Sequence, residues 1–310
     1  MDPSSRRSTL VFAVALVAFV SLGLPDTVLG VAWPSMRHTF GLALDRLGAI
    51  LACATLGYQA SSFVSGPVAR RFGVGGVLVG SSVLVVLSAL GFAASPAFLP
   101  LLVAAVVLGL GGGAIDACVN AFAARHFSPG RVAWLHASFG VGASLGPLLM
   151  TGVLALHLSW RVGYAALALV IALLGFGFHK TRDLWEDGRR DGGARDHASL
   201  GQSVRMPIVL ASGLLFLVYT GVEAIPGAWA FSLLTEGRGM PEALAGTSVA
   251  LYWGGLTFGR LASGAVAHRV SPMLLLRVSL LLTPVWIAVL WKGFGFALDL
   301  VTIAALGFTV

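Results

Sequence analysis

Asp116 and Asn120 stand four residues apart in "GLGGGAIDACVN", Gly109 to Asn120, deep within an apolar run that begins at Ala97. On a helix that spacing sets a carboxylate and an amide on one face. A charged side chain at the centre of a membrane span costs about 2.5–3.5 kcal/mol on insertion scales. A chain that keeps one there needs a water-filled cavity or a partner to accept it. Asp116 is therefore a candidate proton or solute site, with Asn120 a candidate solute ligand. The alternative is a hydrogen bond to a neighbouring helix. Gly109 and Gly113 repeat the four-residue spacing, which lets a second helix approach closely.

Three more acids lie in apolar runs. Asp26 follows Pro25 in "GLPDTVLGVAWP", Glu223 lies in "YTGVEAIPGAWA", and Asp299 sits in the final run, nearer its outer end. Asp26, Asp116 and Glu223 are the candidate proton-coupling residues, and Asp299 reads as structural. Tyr58, Gln59, Tyr219, Trp229, Tyr252 and Trp253 join Asn120 as candidate substrate-binding residues. Sites for hydroxylated solutes combine carboxylates and amides with a ring for the apolar face; the alternative for each is packing. "HASFGVGASLGP", His136 to Pro147, reads as helix packing and bending. No nucleotide loop, nucleophile–base pair or metal-ligand cluster stands out, so no enzyme activity, metal or cofactor is expected. Cys53 and Cys118 both fall in apolar runs and suggest no disulfide framework.

Composition says what must position these groups. Hydrophobic residues make up 57% of the 310 and charged residues 11%, against about 25% charged in a soluble domain. Such a chain cannot cover a water-facing surface, so the fold class is an all-α polytopic membrane protein. Its 40 glycines and 13 prolines fit helices in lipid. The net charge of +7 could suggest nucleic acid, but the basic residues sit in short connections rather than on one face. The expected partners are a small solute, protons and the bilayer, with no nucleic acid, and the expected state is a monomer.

Ten spans are expected, at about 9–33, 44–69, 74–92, 97–124, 132–156, 161–178, 207–233, 243–267, 272–291, and from 293 to the last residue. The first is too long for a signal-peptide core and reads as a retained helix. Between the sixth and seventh, 179–206 is a charged linker with no apolar periodicity. With the N-terminus on side one, side one holds 13 of the 20 basic residues and side two holds 5. Arg260 and Arg277, near side one, are expected to snorkel. That asymmetry puts the N-terminus and linker in the cytoplasm, in a plasma (inner) membrane.

The chain also repeats. "GYQASSFVSGPVARRFG", from Gly57, aligns without a gap with "GLTFGRLASGAVAHRVS", from Gly255, 198 residues on. At the same shift Gly48 meets Gly246, and Gly109 meets Gly307. The expected domains are a six-helix bundle at 1–178, the cytoplasmic linker at 179–206 and a partial bundle at 207–310. By this register Val310 corresponds to Gly112, so the second half stops inside its fourth helix, with roughly 65–70 residues and two helices absent.

Two parallel halves joined by a charged linker resemble the major facilitator superfamily. "GPVARRFGVGG", Gly66 to Gly76, resembles its motif between helices 2 and 3: Gly66, Arg71 and Gly73 match, Arg70 replaces an aspartate, and Val74 and Gly75 replace a basic pair. The resemblance implies a cytoplasmic gate at Gly66, Arg70, Arg71 and Gly73. Asp26 in its polar break and Asp116 with Asn120 resemble the fucose–proton symporter branch, with aspartate for its fourth-helix glutamate. That resemblance implies proton coupling and sugar binding. The expected function is proton-coupled uptake of a small hydroxylated solute by alternating access. A proton-coupled exporter of amphipathic compounds and a truncated, non-transporting remnant remain the alternatives.

Overall fold

The computed structural model describes residues 3–185, 206–266 and 269–310. Most of the expected linker, 186–205, lies outside the described residues. The helices are α1 (Pro3–Phe40), α2 (Leu47–Ala94), α3 (Phe98–His126), α4 (Pro129–Ala155), α5 (Trp160–Thr181), α6 (Pro207–Thr235), α7 (Glu242–Val266), α8 (Pro272–Lys292) and α9 (Phe296–Thr309). Seven of the described helices are long and apolar enough to cross a membrane, and Phe296–Thr309 is a shorter apolar one.

Local chemistry explains the ends. Pro129 opens α4, where its missing N–H costs nothing. Ser159 and Ser271 accept backbone N–H groups from Arg161 and Leu274 at the starts of α5 and α8. Gly293 closes α8 in the left-handed region at φ 67°.

The expected loop between the second and third spans shrinks to one residue. α2 runs 48 residues, about twice what a bilayer requires, and is broken at Gly73, where φ is 72° and ψ 161°. A side chain disfavours that φ, whereas glycine adopts it freely. The two arms run in opposite directions. Along the first, Ala54 meets Gly109, and Ser65 meets Cys118 further on, so it is parallel to α3. Along the second, Ser81 meets Gly111 and Ser88 meets Ala104, so it is antiparallel to α3. Arg70 and Arg71 lie just before the reversal and are exposed.

Glycine sets the helix spacing. A side chain on Gly57 would strike the Val106 carbonyl, and one on Gly109 the Ala54 carbonyl. The second half repeats both contacts 198 residues on: Gly255 lies against Ala304, and Gly307 against Tyr252. The register read from the sequence is thus a register of packing. α1 and α4 run parallel in the same manner, with Gly23 on Phe139 and Ala143, and Gly146 on Leu24. The halves meet where Gly30 of α1 touches Gly227 and Ala228 of α6, and where α4 crosses α7 at Thr151–Gly246 and Gly140–Thr257.

The two ends of the bundle differ in what they gather. At the N-terminal end Arg7 donates to the carbonyls of Asp183 and Leu184, and Arg131 donates to Ser8. At the other end Glu236 accepts from Arg37 at 2.6 Å and lies 3.1 Å from His38. Arg161 there caps the Ala93 carbonyl, and Arg238 pairs with buried Asp299 at 2.5 Å.

Candidate functional site

A cavity of about 830 Å³ lies between the two halves. Pro25 and Pro226 interrupt the hydrogen-bond ladders of α1 and α6 beside it. Each leaves a backbone carbonyl without its helical N–H, tolerated where polar groups or water are at hand.

The first half supplies two acids to the wall. Asp26 projects from α1 and is accessible from the cavity. Asp116 projects from α3, half-buried, with Tyr58 of α2 against it. Asn120, one turn further along α3, donates to Asp116 Oδ1 at 2.8 Å and lies outside the wall. It orients the carboxylate from behind and does not face the cavity. Gln59 lines the wall and is exposed to it.

The second half faces these groups with an ion pair. Arg260 of α7 donates to Glu223 Oε2 of α6 at 2.7 Å and to the Tyr219 hydroxyl at 3.2 Å. Tyr219, Glu223, Arg260, Trp229 and Trp253 all line the cavity. Trp253 is 6% exposed, packed on Gly227 and edge-on to Phe139. Tyr252 is fully buried and does not line the cavity; its hydroxyl donates to the Glu223 backbone carbonyl at 2.6 Å. Its place is behind the ion pair, holding α6 to α7.

Arg260 is where the structure departs most from the sequence expectation: instead of reaching back toward the membrane surface it lines the cavity, paired with a carboxylate and a phenol. The available signal was spacing: Tyr219 and Glu223 are four residues apart on one helical face, a ready seat for a cation. His136 is a second addition. It lines the cavity and packs edge-on to Phe19 at 5.5 Å. The gate candidates Gly66, Arg70, Arg71 and Gly73 do not line this cavity. Among the described residues, Arg70 and Arg71 form no ion pair, and Arg71 stacks over Phe72. No cluster of metal-ligating side chains occurs among the described residues.

A largely apolar cavity that holds four charged side chains lies between two helical halves, set among membrane-length helices. The Major Facilitator Superfamily model matches residues 11–310, and the chain belongs to that superfamily. Curated relatives include the hexuronate transporter of Bacillus subtilis, 23% identical over 80% of this chain and 61% of its own length. The 3-(3-hydroxy-phenyl)propionate transporter of Escherichia coli is 28% identical over 87% of this chain and 68% of its own. Bypass of stop codon protein 6 of Saccharomyces cerevisiae is 23% identical over 82% of this chain and 56% of its own. The chain therefore spans between about half and two thirds of these relatives. Among solved structures, a nucleoside transporter superposes with a TM-score of 0.76 at 12% identity, over 96% of this chain and 78% of its own. A D-xylose–proton symporter superposes with a TM-score of 0.69 at 13% identity, over 96% of this chain and 79% of its own.

Proposed function

We propose that this protein carries a small hydroxylated solute, such as a sugar or its acid, into the cell together with protons, by alternating access. One observation carries the reading. Two cavity-facing carboxylates on one half, Asp26 and Asp116, stand opposite polar and aromatic groups on the other, among them Glu223, Tyr219 and Trp229. A carboxylate charge in the membrane is costly, so protonating Asp26 and Asp116 lowers the cost of reorienting the loaded halves. The resemblance to the fucose–proton branch and the relatives named for hexuronate and for glucose and mannose support this choice. Tyr58, Gln59 and the tryptophans would bind solute, and Asn120 and Tyr252 would support them from behind.

The N-terminal end of the bundle is the cytoplasmic one in this reading, on the 13-to-5 asymmetry of basic residues. The gate at Gly66, Arg70, Arg71 and Gly73 would act there. The opposite end is closed by the Gly30 contact and by Arg37–Glu236. Rings at Phe19, Phe139, Trp229 and Trp253 would also suit export of an amphipathic compound. Proteoliposomes separate the two: an inward proton gradient should accumulate labelled glucuronate or xylose above equilibrium. Efflux of a dye with no gradient-driven uptake of either solute would favour export.

A further inference from the structure

The cavity has its strongest positive group on one wall and two acids on the other. Arg260 makes both of its recorded hydrogen bonds through one terminal nitrogen, Nη2, to Glu223 and Tyr219. Its side chain is one-third exposed, whereas that of Glu223 is 15% exposed. Arg260 itself lines the cavity, together with Tyr219, Trp229 and Trp253. A planar guanidinium fork matches a carboxylate bidentately. A neutral sugar can accept hydrogen bonds there but gains no charge pairing from the cation.

We propose that Arg260 anchors the carboxylate of the carried solute, so that the substrate class is a small organic carboxylate bearing hydroxyls or a ring. Glu223 is then an exchangeable partner, holding Arg260 while the site is empty and giving way when the solute carboxylate arrives. The inference rests on the transporter reading above and narrows it. Titratable groups interact with the pair from several helices: Tyr219 beside it on α6, Tyr252 on α7, Asp26 on α1 and His136 on α4, while Tyr58 on α2 and Asp116 on α3 line the same cavity. Asp26 and Asp116 line the opposite wall of the same cavity, and a carboxylate seated on Arg260 displaces Glu223 from it.

Trp229 and Trp253 line the cavity, so tryptophan fluorescence of the purified chain in detergent reads binding. The probes are two matched pairs, D-glucuronate with D-glucose and 3-phenylpropionate with 3-phenylpropanol. In at least one pair the carboxylate should bind about tenfold tighter than its neutral partner, the size expected for a charge-assisted hydrogen-bonded anchor. Arg260→Gln should abolish the preference for the carboxylate, and Arg260→Lys should restore part of it. Glu223→Gln should tighten carboxylate binding, because it removes the charge that competes for Arg260. If Arg260→Gln does not fold, the double variant Arg260→Gln with Glu223→Gln removes both charges and should also lose the preference. Equal or better binding of the neutral partners, or a carboxylate preference that survives loss of Arg260, overturns the assignment. Carboxylate binding without gradient-driven accumulation would instead sink the proton-coupled reading and leave Arg260 in place. Accumulation of xylose with no carboxylate binding would sink only the anchor.

Discussion

The two walls of the cavity hold their acids differently. Asp116 is held by an amide, Asn120, and by a neighbouring phenol. Glu223 is held by a full positive charge, Arg260. An amide supports a carboxylate and a carboxylic acid alike, because it can donate to one and accept from the other. A guanidinium supports only the anion. The contact on the first wall is compatible with either form of its acid, whereas the ion pair on the second is compatible only with the carboxylate.

That contrast can be broken at the first wall with the largest effect. Asp116→Asn mimics the permanently protonated side chain. In proteoliposomes it should lower gradient-driven accumulation to near equilibrium while counterflow exchange persists. Accumulation that survives would return Asp116 to a packing role. Glu223→Gln should cost less accumulation than this, which sharpens the contrast between the walls. Equal losses would erase it.

The frame behind the walls is the next test. Gly109→Val and Gly307→Val each drive a side chain into a neighbouring backbone. Each should destabilise the protein by about 1–3 kcal/mol, the usual range for overpacking, read as a lower melting temperature in detergent. Gly152 has nothing within 4 Å of an added Cβ, so Gly152→Ala should melt like the parent. If Gly307→Val is silent while Gly109→Val is not, the second half does not share the packing of the first.

Asn120→Ala should weaken solute binding only a few-fold and leave coupling intact, because it removes one hydrogen bond behind Asp116, worth about 1 kcal/mol net. The smallest effect belongs to Glu236→Gln. Its partners Arg37 and His38 lie toward the surface, with the Arg37 side chain 21% exposed. Such a pair is worth under about 1 kcal/mol and weakens with salt. A melting shift that ignores ionic strength would argue against an electrostatic role there.

Much of this arrangement could be read from residue types. Helix positions followed from apolar runs: the fifth to ninth expected spans differ from α4–α8 by at most a few residues at either end. Asp26, Asp116 and Glu223 could be picked out because an acid in an apolar run is costly wherever it points. Direction was harder. Tyr252 and Trp253 are adjacent, yet one braces the helices and the other lines the cavity. A helix turns about 100° per residue, and an apolar run gives no clue to its rotation when lipid and protein are equally apolar. Arg260 was misjudged for a related reason. A long basic side chain near a span's end can reach water or a buried acid, and only the fold decides between them.

The sequence pattern makes Gly73 part of a charged loop, whereas in the structure a single left-handed residue reverses the chain. The glycine repeat was the more informative signal. It gave a register, and the same contacts recur in both halves.

Those glycine seams have a mechanical meaning. Where backbone rests on backbone, no side chain can change rotamer to take up a displacement. The α2–α3 and α7–α9 seams should therefore move as stiff plates, transmitting force without absorbing it. The softness must lie elsewhere, in helices whose own ladders are interrupted. α1 and α6 carry Pro25 and Pro226 at the level of the cavity, one beside Asp26 and the other three residues beyond Glu223. The compliant joints of the machine thus coincide with its charged groups, so a change of charge there acts directly on the parts most able to bend.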